Sequence, residues 1–161
     1  MTDFGTVRRD GPVGAVRFER VYAAAPAELW DAWTSPERLA RWMGAELSGP
    51  LRVGGTATLA WGADAGSRVE LVVVELTPPE LLEWEWTVAG EAPTRLRVQF
   101  VPVPEGTRLV LEHAQLPFSM FAGLAAGWHA YLDALAVGDA AGWDAAWAEL
   151  LPAYKERVAE L

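Results

Sequence analysis

Leu81-Leu82-Glu83-Trp84-Glu85-Trp86-Thr87-Val88 alternates apolar and polar side chains along its whole length. Successive side chains of a strand point to opposite faces, so Leu82, Trp84, Trp86 and Val88 share one face and Glu83, Glu85 and Thr87 the other. A strand with one apolar and one charged face suits an antiparallel sheet packed on one side and wet on the other. Residues 95–101 repeat the device, with Leu96, Val98 and Phe100 inward against Arg95, Arg97 and Gln99. Glu105-Gly106 marks a turn, after which Leu109, Leu111 and His113 line one face of a further strand. Upstream, Pro78-Pro79 stops an apolar strand over residues 69–76. Its expected phase turns Val72, Val74 and Leu76 inward, which puts Glu75 outside and Glu70 in step with the inward set. Gly54-Gly55 is a turn into a strand over 56–61, and residues 62–66 read as a loop. Turns this short between successive strands predict an antiparallel meander.

Outward from the sheet, residues 1–14 read as a polar segment and 15–24 as the first strand, with Val16, Phe18 and Val21-Tyr22. Pro26 opens a helix with Glu28 near its positive end, and Trp30 is expected on that helix's outer side. Ser35 as N-cap and Pro36 at the next position start a second short helix presenting Leu39, Trp42 and Met43 on one face. Beyond the sheet, Phe121, Leu124, Ala125, Trp128, Leu132 and Leu135 follow the spacing of a long amphipathic helix facing the strands. His129 falls on its flank, as a boundary residue. Gly138-Asp139 breaks that helix. A last one carries Trp143, Trp147, Leu150, Leu151, Tyr154 and Val158 on one stripe, with Pro152 expected to kink or divide it.

The chain has 161 residues, enough for one domain with a sizeable core, divided here as 1–14, 15–138 and a helical tail over 139–161 packed on the same domain. It has no cysteine, which removes disulfides, thiolate nucleophiles and Cys-bound zinc. Acidic residues outnumber basic ones by 22 to 13, for a net charge of −9 that disfavours nucleic acid and anionic membrane as partners. The polar start holds no apolar run suited to a signal peptide or a membrane span, so a cytoplasmic location is expected. Nine tryptophans imply either a broad apolar core or a cavity walled by rings.

The segment Pro26-Ala27-Glu28-Leu29-Trp30-Asp31-Ala32-Trp33-Thr34-Ser35-Pro36-Glu37-Arg38-Leu39-Ala40-Arg41-Trp42 is followed in order by Gly54-Gly55, then Pro78-Pro79-Glu80-Leu81-Leu82-Glu83-Trp84. Gly106-Thr107-Arg108-Leu109-Val110-Leu111-Glu112-His113 and Gly127-Trp128-His129 complete the series. Together they resemble the START-like, birch-pollen-allergen-like (SRPBCC) superfamily, in the branch named for heat-shock protein 90 ATPase activator homologues (AHSA-type), and specifically its stand-alone bacterial members. The resemblance implies an α+β helix-grip fold: a curved antiparallel sheet wrapped around a long C-terminal helix, with two short helices after the first strand and an extra helical tail. In the namesake co-chaperone the domain is joined to a chaperone-binding domain that is expected to be missing here. The superfamily also holds lipid carriers, ligand sensors, cyclases and aromatases, so the fold does not fix the chemistry.

A helix grip would bring Trp33, Trp42, Trp61, Trp84, Trp86, Phe100, His113, Phe121, Leu124 and Trp128 to one interior. They are the expected lining of a cavity for a small hydrophobic molecule, unless they simply fill the space. His113 is either a general acid/base or a buried histidine satisfied by the protein. Glu70, Glu75 and Tyr131 are the other inward candidates for cyclase-like chemistry. No catalytic residue is assigned, since no Gly-x-Ser-x-Gly elbow or phosphate loop is present. Metal-ligand spacing is also lacking, so no metal and no cofactor are expected. The preferred expectation is a non-enzymatic carrier or sensor. The alternatives are a cyclase- or hydrolase-like enzyme using His113, and a chaperone-associated or regulatory module with a filled core. The last helix either covers its own domain, closes the pocket or pairs two copies into a homodimer.

Overall fold

The computed structural model describes residues 3–62 and 67–161; the expected loop at 63–66 lies outside the described residues. The strands are β1 (Thr6–Asp10), β2 (Val13–Tyr22), β3 (Glu46–Ser48), β4 (Thr56–Ala60), β5 (Arg68–Thr77), β6 (Leu81–Val88), β7 (Thr94–Val103) and β8 (Gly106–Pro117). They form one antiparallel sheet in the order β1-β2-β8-β7-β6-β5-β4-β3. Helices α1 (Pro26–Thr34) and α2 (Pro36–Met43) connect β2 to β3. A 3-10 turn (Phe118–Met120) leads into α3 (Phe121–Val137), and α4 (Trp143–Ala159) follows. The curved sheet grips α3, which makes this the helix-grip fold.

Local chemistry accounts for the joints. Pro36 biases Ser35 to extended backbone, which ends α1 and starts α2 without a side-chain cap from Ser35. Gly44 ends α2 in the left-handed region at φ 73°, where its amide bonds Ala40 O at 3.0 Å. Leu39, Trp42 and Met43 are buried, as their spacing predicts.

The inner face of the sheet carries Phe18, Leu71, Leu82, Trp84, Leu96, Val98, Phe100, Leu109 and Leu111, none more than 1% exposed. Phe121, Ala125, Trp128 and Leu132 of α3 press on it. The alternation in β6, β7 and β8 is therefore observed as read.

Several expectations need correction. The segment 1–14 is not merely polar: β1 pairs with β2 from Thr6↔Arg17 to Asp10↔Val13. It is an edge strand whose only apolar side chain is Val7, so it shows no alternation. In β5 the inward set is Val69, Leu71 and Val73, while Val72 is half-buried and Val74 and Glu70 are exposed. The run of valines has no period of two, and a bulge between Val73 and Glu75 resets the phase so that Leu76 packs on the core. Glu75 is outside, as expected. Pro152 does not divide α4. The carbonyl it leaves without an amide donor belongs to exposed Ala148, within reach of water. Trp30 is half-buried, edge-on to Phe100 at 5.8 Å, rather than outside.

Candidate functional site

The space between sheet and α3 is filled over most of its length. Trp33, from α1, lies 4.9 Å from the Trp42 ring and 6.3 Å from Trp84, and stacks on Trp128 at 5.9 Å and 19°. Trp33, Trp42, Trp84, Phe100 and Phe121 are at most 2% exposed. Beside His113 a void of about 10 Å³ leaves the room of one water.

His113 sits on β8 with no exposed surface. The Trp128 indole N–H donates to its Nδ1 at 2.9 Å, so Nδ1 carries no proton and Nε2 does. Nε2–H then donates to Thr94 Oγ1 at 2.7 Å, and Thr94 donates to Trp86 O at 2.7 Å. Burial pushes the ring's pKa down to about 3, so it is neutral near pH 7. Both nitrogens being spent on the protein, His113 offers no free base.

The open end of the grip is different. A recess of about 220 Å³ lies between α3, the start of α4 and the ends of β5 and β6. The sheet supplies Val69, Trp86 and Val88, and Trp61 stands just after β4. From α3 come Leu124, Trp128 and Tyr131, with Gly123 and Gly127 between them, and α4 contributes Trp143. None of these carries a charge. Three indole N–H groups are already committed: Trp61 to Met43 O at 3.0 Å, Trp128 to His113, and Trp143 to Gly127 O at 3.2 Å. Burial raises the Tyr131 phenol above its ordinary range, which keeps it un-ionised.

Of the residues expected to line a cavity, Trp61, Trp86, Leu124 and Trp128 meet at this recess. His113 touches only the small void, which shares Trp86 and Leu124 with the recess. Trp33, Trp42, Trp84, Phe100 and Phe121 stand in the filled interior. The sequence reading did not assign Tyr131, Trp143 and the two glycines to the pocket wall. The stripe on α4 was legible, but which surface it would cover was not.

α4 lies on α3, its Trp147 indole donating to Gly123 O at 3.0 Å. Tyr154 is fully buried, with its hydroxyl between the Gly5 amide and His129 Nδ1, each at 2.8 Å. His129 is therefore no boundary residue: α4 and the N-terminal segment cover that flank and leave it 3% exposed. Burial, and then Arg20, lower its pKa to about 4. Arg20 pairs with Asp133 at 2.8 Å. Among the described residues no group of three His, Asp or Glu side chains is placed to hold a metal ion. No helix among them is long and apolar enough to cross a membrane.

The chain belongs to the family described as activator of Hsp90 ATPase homolog 1-like protein, whose model matches residues 23–137. This is a fold that typically binds ligands. No curated protein matches the sequence. Among solved structures, the crystal structure of CalU16 from Micromonospora echinospora is similar at 24% identity and a TM-score of 0.78, over 96% of this chain and 97% of that one. The solution structure of the BPP1335 protein from Bordetella parapertussis is 27% identical with a TM-score of 0.72, over 96% and 91%. DynU16, described as a protein in the dynemicin biosynthetic locus, is 26% identical with a TM-score of 0.68, over 76% of this chain and 46% of its own.

Proposed function

We propose that this family member binds a small, uncharged apolar molecule in the recess at the open end of the grip, as a carrier or sensor that leaves its ligand chemically unchanged. The observation that carries the reading is the recess itself: about 220 Å³ of space walled by rings and aliphatic side chains, beside an interior that is otherwise close-packed. The family's ligand-binding character supports the reading. The neutral, doubly engaged His113 supports a role without catalysis, because its ring has no lone pair to give a substrate. The stripe on α4 packs on its own domain through Tyr154 and Val158, while Trp143, Trp147, Leu150 and Leu151 are half-buried.

A panel of uncharged alcohols and arenes, followed by thermal shift and calorimetry, tests the site. Members of the panel should raise the melting temperature of the wild-type protein. Leu124→Trp puts a larger ring into the recess from a half-buried position and should weaken them about tenfold or more. Equal affinity in Leu124→Trp would place binding elsewhere, and a panel without effect on the wild-type protein would remove the proposal.

A further inference from the structure

Two glycines stand in the recess wall where a helix has little use for them. Gly123 and Gly127 lie one turn apart on α3, and glycine is among the poorest residues for a helix interior. Neither has a positive φ. A Cβ on Gly123 would meet nothing within 4 Å. One on Gly127 would meet only Trp143 Cζ2 at 3.5 Å and Trp147 Cδ1 at 3.9 Å, which are ordinary contacts. The close approach of α4 therefore does not require either glycine. Both glycines line the recess: a side chain at Gly123 would enter open space there, and one at Gly127 would stand against Trp143 at its wall.

We infer that Gly123 and Gly127 set what the recess admits, and that it admits an uncharged ring system of one or two fused rings; this rests on the binding role proposed above. The size follows from the volume. An engineered closed cavity of about 150 Å³ takes one benzene ring; the 220 Å³ recess, open on one side, covers two fused rings, while a four-ring system would leave much of its apolar surface in water. Shape follows from the walls, where the rings of Trp61, Trp86, Tyr131 and Trp143 offer flat faces. Charge is disfavoured because none of the described lining side chains is ionic, so a carboxylate or ammonium would enter the recess without an ion pair.

Calorimetric titration with toluene, naphthalene, pyrene, 2-naphthoate and 1-octanol tests this on the full chain. The wild-type protein should bind toluene and naphthalene, with pyrene and 2-naphthoate at least about tenfold weaker than naphthalene. Gly123→Ala should lower naphthalene affinity about tenfold, since a methyl group in a fitted pocket is worth that much, while toluene changes little. That variant should melt no lower than the wild-type protein; were it to melt lower, Gly127→Ala provides the same comparison. Naphthalene binding unchanged in both alanine variants, or pyrene bound as tightly as naphthalene, would overturn the size rule and leave the binding role standing. Failure of every uncharged probe, octanol included, would overturn both.

Discussion

The proton on His113 follows from its partners: Trp128 can only donate, so Nδ1 accepts and Nε2 carries the hydrogen toward Thr94. The folded protein holds this ring neutral, with a pKa of about 3 against an ordinary value of 6.5. Between those values the unfolded chain binds a proton that the folded one refuses, so stability rises with pH there. His129, lowered to about 4, acts in the same sense. Stability should therefore be full above pH about 6.5 and fall by a few kcal/mol as pH drops toward 4, read as melting temperature against pH. His113→Gln keeps an acceptor and a donor but cannot take the proton. It should fold and show a shallower acid decline; an unchanged slope would contradict the role given to His113. The inward position of His113 was legible from the alternation of β8. Its partners were not, because Thr94 and Trp128 reach it from other elements, brought together only by tertiary packing.

At the level of elements, the N-terminal segment and α4 hold each other. The buried Tyr154 hydroxyl receives the Gly5 amide and faces His129 Nδ1, and the Arg157 guanidinium lies 4.3 Å from the centre of the Phe4 ring. Tyr154→Phe keeps the ring and strands both polar partners, which should cost about 1–3 kcal/mol in urea unfolding. An unchanged midpoint would mean that water replaces the hydroxyl freely. Such ties explain what the sequence hid. β1 is an edge strand held by backbone bonds, with Val7 too isolated to show a period. β5 carries three consecutive valines and a bulge, so its phase cannot be read from pattern alone. His129 is buried only because α4 and the N-terminal segment close over it. The helices and β6 to β8 were legible because each has one apolar face set by its own period.

For the whole molecule, the close-packed interior and the apolar recess at its open end are what the proposed binding of a small uncharged ligand rests on. The nine tryptophans were ambiguous between core and cavity walls, and the structure divides them. Trp33, Trp42 and Trp84 build the interior, while Trp61, Trp86, Trp128 and Trp143 face the recess. That division depends on how far α3 and α4 close over the sheet, which no local pattern encodes. It also provides the most direct test. Each indole N–H gives its own signal in a nitrogen-15 correlation spectrum, so naphthalene can be titrated against all nine tryptophans at once. The signals of Trp61, Trp86 and Trp143 should move and saturate together while those of Trp33, Trp42 and Trp84 stay in place. Movement of Trp33 and Trp84 with Trp61 and Trp143 still, or no movement at all, would contradict a ligand site in the recess.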